Sequence, residues 1–156
     1  MNIKLTTFFL LIITISHSCN GQKKDSNDKD ESVTKEYSKA KNMENSTFEI
    51  QINILKKSML EYMEMANPSY SKNDVDECVK ILNEYLLEIK NSNSKEAGMK
   101  IVENTIKKLN KLNEKCNSEL IETSEREQIA EIIILASSEK GYNTKEEDIT
   151  ENWREW

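Results

Sequence analysis

The stretch Ser124–Gly141, SEREQIAEIIILASSEKG, decides the fold. Ser124 is placed to cap a helix, and Glu127, three residues on, to return the bond, as in a capping box. Gly141 is the natural stop, because it enters left-handed dihedrals without a Cβ penalty. Between them Ile129, Ala130, Ile132, Ile133, Ile134, Leu135 and Ala136 cover nearly the whole circumference. A helix apolar on all sides is usually surrounded by protein. The prediction is an all-α fold: a compact bundle of about five helices around a central apolar helix over 125–140.

Composition agrees with helices. The 156 residues include one Pro and three Gly, and 32% are charged. This length fits one domain. Working outward, Ser46 and Glu49 form another capping box, and Phe48, Ile52, Leu55, Met59 and Tyr62 or Met63 recur at helical spacing. Pro68 ends that helix and moves Asn67 away from helical dihedrals. Met59, Met63 and Met65 read as adaptable core rather than as a soft-metal box. The next helix starts near Ser71 or Asn73, with Val75, Val79 or Cys78, Leu82, Leu86 and Ile89 as its stripe. The polar turn Asn91–Ser94 implies an antiparallel neighbour. Ser94 caps the third helix, whose stripe is Met99, Val102, Ile106, Leu109, Leu112 and Cys116. Its outer face is basic: Lys100, Lys107, Lys108, Lys111 and Lys115. Thr144 and Glu147 form one more capping box and predict a fifth helix, TKEEDITENWREW. Ile149, Trp153 and Trp156 share one face of it and read as a lid over the bundle, with an exposed anchor pair as the alternative.

The N-terminus reads differently. Lys4 precedes an apolar run, Leu5–Ile15, too short to cross a membrane comfortably. The small residues Ser16 and Ser18 follow, then Cys19. A positive start, a short apolar core and a small-residue exit describe a secretory signal. Residues 1–19 resemble the signals of bacterial lipoproteins, which end at a cysteine that is lipidated. The resemblance implies a signal peptide over 1–18, a lipid on Cys19 and attachment to a membrane. Residues 19–45 are polar and nearly free of large aliphatics, and read as a lipidated, disordered tether. Gln22-Lys23-Lys24-Asp25 resembles the surface-export signal of some Gram-negative lipoproteins, which implies an outer-membrane location in the cell envelope, facing the periplasm or the surface. The helical domain is then 46–156.

Charge is uneven. Residues 47–116 carry eleven Lys and eleven acidic residues, whereas 117–156 carry four basic and eleven acidic ones, a net −7. An overall charge of −6 argues against nucleic-acid binding, which needs clustered Lys and Arg. The acidic excess reads as a solvated face or as a docking surface for a basic protein partner. On the second reading Glu119, Glu122, Glu146, Glu147, Asp148 and Glu151, with Trp153 and Trp156, are the candidate partner-binding residues.

Chemistry is narrowed by what is missing from the sequence. The one His, His17, lies in the signal, so the processed chain lacks Ser-His and Cys-His activation and His-based zinc sites. Three glycines build no phosphate loop. Neither metal nor cofactor is implied. Carboxylate chemistry survives as a remote alternative, with Glu119 and Glu122 the first choices for a hydrolase pair. Cys78 and Cys116 are either bridged or two buried thiols. A symmetric antiparallel hairpin leaves them about 12 Å out of step along its axis, whereas a bridge needs Cα atoms within about 7 Å.

Leu109–Cys116, Leu120–Thr123, Arg126-Glu127 and Asp148-Ile149-Thr150 with Trp153–Trp156 are similar to a group of small helical bacterial proteins of unassigned activity. The resemblance spans residues 95–156 and implies a shared fold without catalytic roles. The sequence thus points to a non-enzymatic, lipid-anchored envelope binding protein, immunity-like in presenting acid to a basic partner. The alternative is a structural lipoprotein that associates with itself or an envelope complex through the Trp face.

Overall fold

The computed structural model describes the backbone of residues 28–156 and the side chains from Thr47 onward. The expected signal peptide, Cys19 and the export-like stretch lie outside the described residues. The compact unit carrying the core is Ser38–Trp156. The helices of the described residues are α1 (Asp28–Ala66), α2 (Lys72–Asn91), α3 (Lys95–Lys115) and α4 (Thr123–Glu139). Among the described residues no helix is long and apolar enough to cross a membrane.

The helix boundaries follow local chemistry. α1 starts at Asp28, upstream of the start expected at Ser46. Neither Gly nor Pro occurs between 28 and 66, and a low-hydrophobicity stretch rich in Lys and Glu still propagates a helix once one is nucleated. α1 ends where Pro68 predicts: Asn67 adopts φ +50°, a left-handed conformation Asn tolerates. Ser71 precedes α2, and the Asp74 carboxylate accepts from both the Ser71 N–H (2.9 Å) and the Ser71 hydroxyl (2.6 Å). Ser94 caps α3 by accepting from Ala97 N at 3.1 Å.

The ends of α4 divide the sequence reading. Glu122, not Ser124, occupies the N-cap position, and the Ser124 hydroxyl instead donates to Glu125. At the other end Gly141 has φ +71°. Its N–H reaches the Ser138 carbonyl at 2.8 Å, and that of Tyr142 reaches Ser137 at 3.3 Å. These bonds satisfy the last carbonyls of a glycine-terminated helix.

The core is one cluster drawn from all four helices and the loops after α3 and α4. Phe48, Ile52, Leu55 and Met59 of α1 are buried as their spacing predicts, and so are Val75, Cys78, Leu82 and Ile89 of α2 and Val102, Ile106, Leu109 and Leu112 of α3. The centre, however, is α2 rather than α4, for α2 packs against both α3 and α4. Tyr85 on α2 is fully buried and donates to the Ile133 carbonyl of α4 at 2.7 Å. α4 has an outer side: Ile129, Ile132 and Ile133 are fully buried, but Ile134 and Leu135 are only half-buried, and Glu127 and Glu131 are exposed. Four consecutive aliphatics span a full turn, and a bundle covers only part of a turn.

Four helices, not five, are present among the described residues. Residues 144–156 form a chain of turns. The Asp148 carboxylate accepts from the Thr150 N–H at 2.9 Å and the Thr150 hydroxyl at 2.6 Å. That local turn removes a donor that a helix would direct at its own carbonyls. The predicted Thr144–Glu147 box reduces to one backbone bond, Glu147 N to Thr144 O at 3.3 Å.

Two asparagines of α3 organise the non-helical chain. Buried Asn113 accepts with one oxygen from the N–H groups of Leu120 and Ile121, at 3.1 and 2.9 Å. Asn110 donates to the Trp153 carbonyl at 2.7 Å and accepts from Glu155 N at 3.3 Å.

Candidate functional site

A groove of about 420 Å³ opens between α4 and the C-terminal tail. α4 contributes Arg126, Glu127, Ala130, Glu131, Ile134 and Leu135, and the tail Lys145, Asp148 and Arg154. At 3.6 residues per turn these α4 positions form two rows, Arg126-Ala130-Ile134 and Glu127-Glu131-Leu135. The result is an aliphatic floor bordered by a carboxylate ridge and, across it, by the mixed charges of the tail.

Several contacts hold the tail in place. The Tyr142 hydroxyl accepts from Ser92 Oγ (3.0 Å) and donates to Ser92 O (3.2 Å). Asn143 donates to the Ile134 carbonyl at 3.2 Å. Ile149 and Thr150 are buried. Arg154 reaches Asp148 at 3.1 Å and lies over the Trp156 ring, 5.7 Å from its centroid. Burial pushes the Asp148 carboxyl up, but the two Thr150 bonds and Arg154 outweigh it, and its pKa lies below the ordinary carboxylate value.

The predicted partner-binding residues separate into four groups. Glu119 is a structural acceptor: the Ser69 N–H donates to it at 2.6 Å, and that bond holds its carboxyl below the usual range. Glu122 stands exposed at the start of α4. Glu146, Glu147 and Glu151 are exposed on the tail beside the groove-lining Lys145 and Asp148, and Asp148 is tied into the tail itself. Trp153 and Trp156 are half-buried and pack on the core, as a lid would. In a hydrolase pair Glu119 is poorly suited to the general-acid role, which needs a raised carboxyl, since its own is lowered.

Of the groove-lining residues sequence reasoning picked out only Asp148 as a site residue, and passed over Arg126, Glu127, Ala130, Glu131, Ile134, Leu135, Lys145 and Arg154. One signal was available. Glu127, Glu131 and Leu135 stand four apart, which places acids on the same row as an aliphatic and marks an outer face.

Four of the five lysines on the basic face of α3 stand in ion pairs. Glu103 takes Lys107 (2.6 Å) and Lys100 (2.9 Å), which lower its carboxyl to about 2. Lys108 pairs with Glu84 at 3.1 Å and Lys115 with Asp74 at 2.7 Å, both on α2. Cys78 and Cys116 are buried free thiols. Burial pushes Cys78 up to about 12 and raises Cys116 as well, so neither is a ready thiolate nucleophile. No group of three or more His, Cys, Asp or Glu among the described residues could hold a metal ion.

The fold and groove define an all-helical bundle with a turn-built tail and a charged, aliphatic-floored cleft. No protein family, curated protein or solved structure matches the chain.

Proposed function

We propose that this chain is a lipid-anchored envelope binding protein that docks a basic protein partner on the face formed by α4 and the tail. One observation carries the reading. Glu127, Glu131, Glu146, Glu147, Glu151 and Glu155 are exposed on the elements that border the groove, while the Lys face of α3 is balanced by Glu103 and by acids of α2. The acidic excess of residues 117–156 is therefore available to steer association with a cationic surface. The floor of Ala130, Ile134 and Leu135 offers a seat for an apolar anchor at the centre of the interface. An immunity-like role, in which such a face occludes a basic toxin, is the concrete form of this proposal. Binding rather than catalysis is the role it assigns.

Anchoring rests on the lipoprotein-like signal and Cys19 in the sequence, and the outer membrane is the proposed location. Labelling with a radiolabelled fatty acid, lost in Cys19→Ser, tests that part separately. The docking face is tested with the full chain by co-purification from native envelope. The expected result is a basic protein released by salt, as the Debye length falls from about 10 Å at 0.1 M to about 3 Å at 1 M. Reversal of Glu127, Glu131, Glu146 and Glu147 to Lys should abolish it. Asp148 is left intact because it shapes the tail. A complex indifferent to both salt and reversal overturns the proposal.

A further inference from the structure

Both arginines of the chain, Arg126 and Arg154, line the groove. They stand in different states. Arg154 is committed to Asp148 at 3.1 Å and to the face of Trp156. Arg126 is half-buried in the first turn of α4, and its guanidinium reaches only the Thr123 hydroxyl, at 3.4 Å. It enters no ion pair among the described residues, although Glu131 and Asp148 line the same groove. A partly buried cation without a carboxylate is costly, and a guanidinium is shaped to grip a carboxylate with two parallel bonds. The helix dipole adds positive potential at this end of α4.

The charge lining the groove is balanced, unlike that of its surroundings. Arg126, Lys145 and Arg154 stand against Glu127, Glu131 and Asp148. A purely cationic insertion would leave Arg126 and Lys145 facing like charge. Along its row Arg126 is followed by Ala130 and Ile134 at intervals of about 6 Å. An occupant that satisfies this row carries a carboxylate one helical turn from an aliphatic side chain. The last residue of a chain does so, since its carboxylate and its side chain leave the same Cα. In an extended internal segment neighbouring side chains point to opposite sides. A volume of about 420 Å³ is also of small-ligand size, room for a chain end rather than for a broad surface.

We propose that the groove captures the C-terminus of the partner. The terminal carboxylate lies on Arg126, an aliphatic last side chain on Ala130 and Ile134, and Lys or Arg of the preceding residues on Glu127 and Glu131. This rests on the docking face proposed above and names the part of the partner that enters it.

The test offers the full chain, in detergent, two pools of short peptides. Every peptide ends in Leu and is mixed at its other positions; one pool keeps the free terminal carboxylate and the other is amidated. The free-acid pool should be retained about tenfold more strongly than the amide, with Lys and Arg enriched among the retained sequences. Arg126→Gln should erase the preference for the free acid and keep the enrichment. The Glu127→Gln/Glu131→Gln double variant should erase the enrichment and keep the preference. Enrichment of Lys and Arg with equal retention of the two pools overturns terminal capture and leaves the docking face standing. A free-acid preference without that enrichment overturns the cationic docking on which it rests. A preference that survives Arg126→Gln overturns the role of that arginine, and retention of neither pool overturns both readings.

Discussion

Gly98 is the position at which a single methyl group reads out how the tail is seated. A Cβ there would lie 2.4 and 2.5 Å from two ring carbons of Tyr142, and 3.3 Å from Ile89 Cδ1. Carbon atoms rest at about 3.5–4.0 Å, so Gly98→Ala forces the ring back by about 1 Å. The ring is not free to move. Its hydroxyl is held by Ser92 through two bonds of 3.0 and 3.2 Å, and Tyr142 is buried. Overpacking costs about 1–3 kcal/mol, and the two strained bonds add about 1 kcal/mol each. Against this, Ala gains about 1 kcal/mol over Gly inside a helix. The net is a destabilisation of about 2–4 kcal/mol, which lowers Tm by roughly 8–16 °C for a domain of this size.

The measurement is a double-mutant cycle by chemical denaturation, with Gly98→Ala, Tyr142→Ala and both together. Without the ring only the helix preference remains, so Gly98→Ala should become neutral or stabilising by up to about 1 kcal/mol. That reversal of sign is the signature. If Gly98→Ala stabilises the wild-type chain, or destabilises both backgrounds equally, Tyr142 is not seated on Gly98.

Asn113→Ala leaves the N–H groups of Leu120 and Ile121 unsatisfied in a buried loop, and should cost about 2–4 kcal/mol in a urea titration. Asn110→Ala frees the tail at Trp153 and Glu155, and should cost about 1–2 kcal/mol while shifting tryptophan emission to the red. Asp74 titrates with a sign fixed by its partners: Lys115, then Ser71, lower its carboxyl from 3.8 to about 2. Its contribution is complete above the unfolded value and is lost as pH falls from about 4 towards 2. With Lys115 largely in solvent, screening limits it to about 1–2 kcal/mol. In Asp74→Asn that portion of the acid-induced loss should disappear from the stability–pH curve.

Where a segment's structure is decided within a few residues, the sequence is readable. Ser94 caps α3, Pro68 closes α1, Gly141 closes α4, and the three-four stripes of the first three helices name the buried residues almost one for one. The tail is the counter-example. Thr144 and Glu147 have capping-box spacing, yet Asp148, the next residue, offers Thr150 a competing turn, and Asn110 captures the backbone near Trp153. Asn110 lies some forty residues upstream in a helical stripe, and nothing in its local context marks it as a clamp. The groove was hidden for a related reason. A run such as Ile132–Leu135 shows that a helix is apolar but not which quarter of it stays uncovered, because that depends on how neighbours are placed.

The three-residue spacing of Asn110 and Asn113 puts both amides on one side of α3, each binding a different irregular segment. Asn113 sets the loop that launches α4, and Asn110 sets the tail that returns beside it. Both walls of the groove are thus referenced to a single rigid helix, which is itself tied to α2 by Lys108–Glu84 and Lys115–Asp74. A docking face built from a helix and a run of turns would ordinarily lose affinity through the entropy of ordering the turns on binding. Here that ordering is already set in the free chain by buried amides rather than by the exposed acids that the proposed docking would use. The charges are left free to steer association, and reversing them should alter recognition while leaving the fold intact. Removing either amide should do the opposite, loosening the face before any change in its charge.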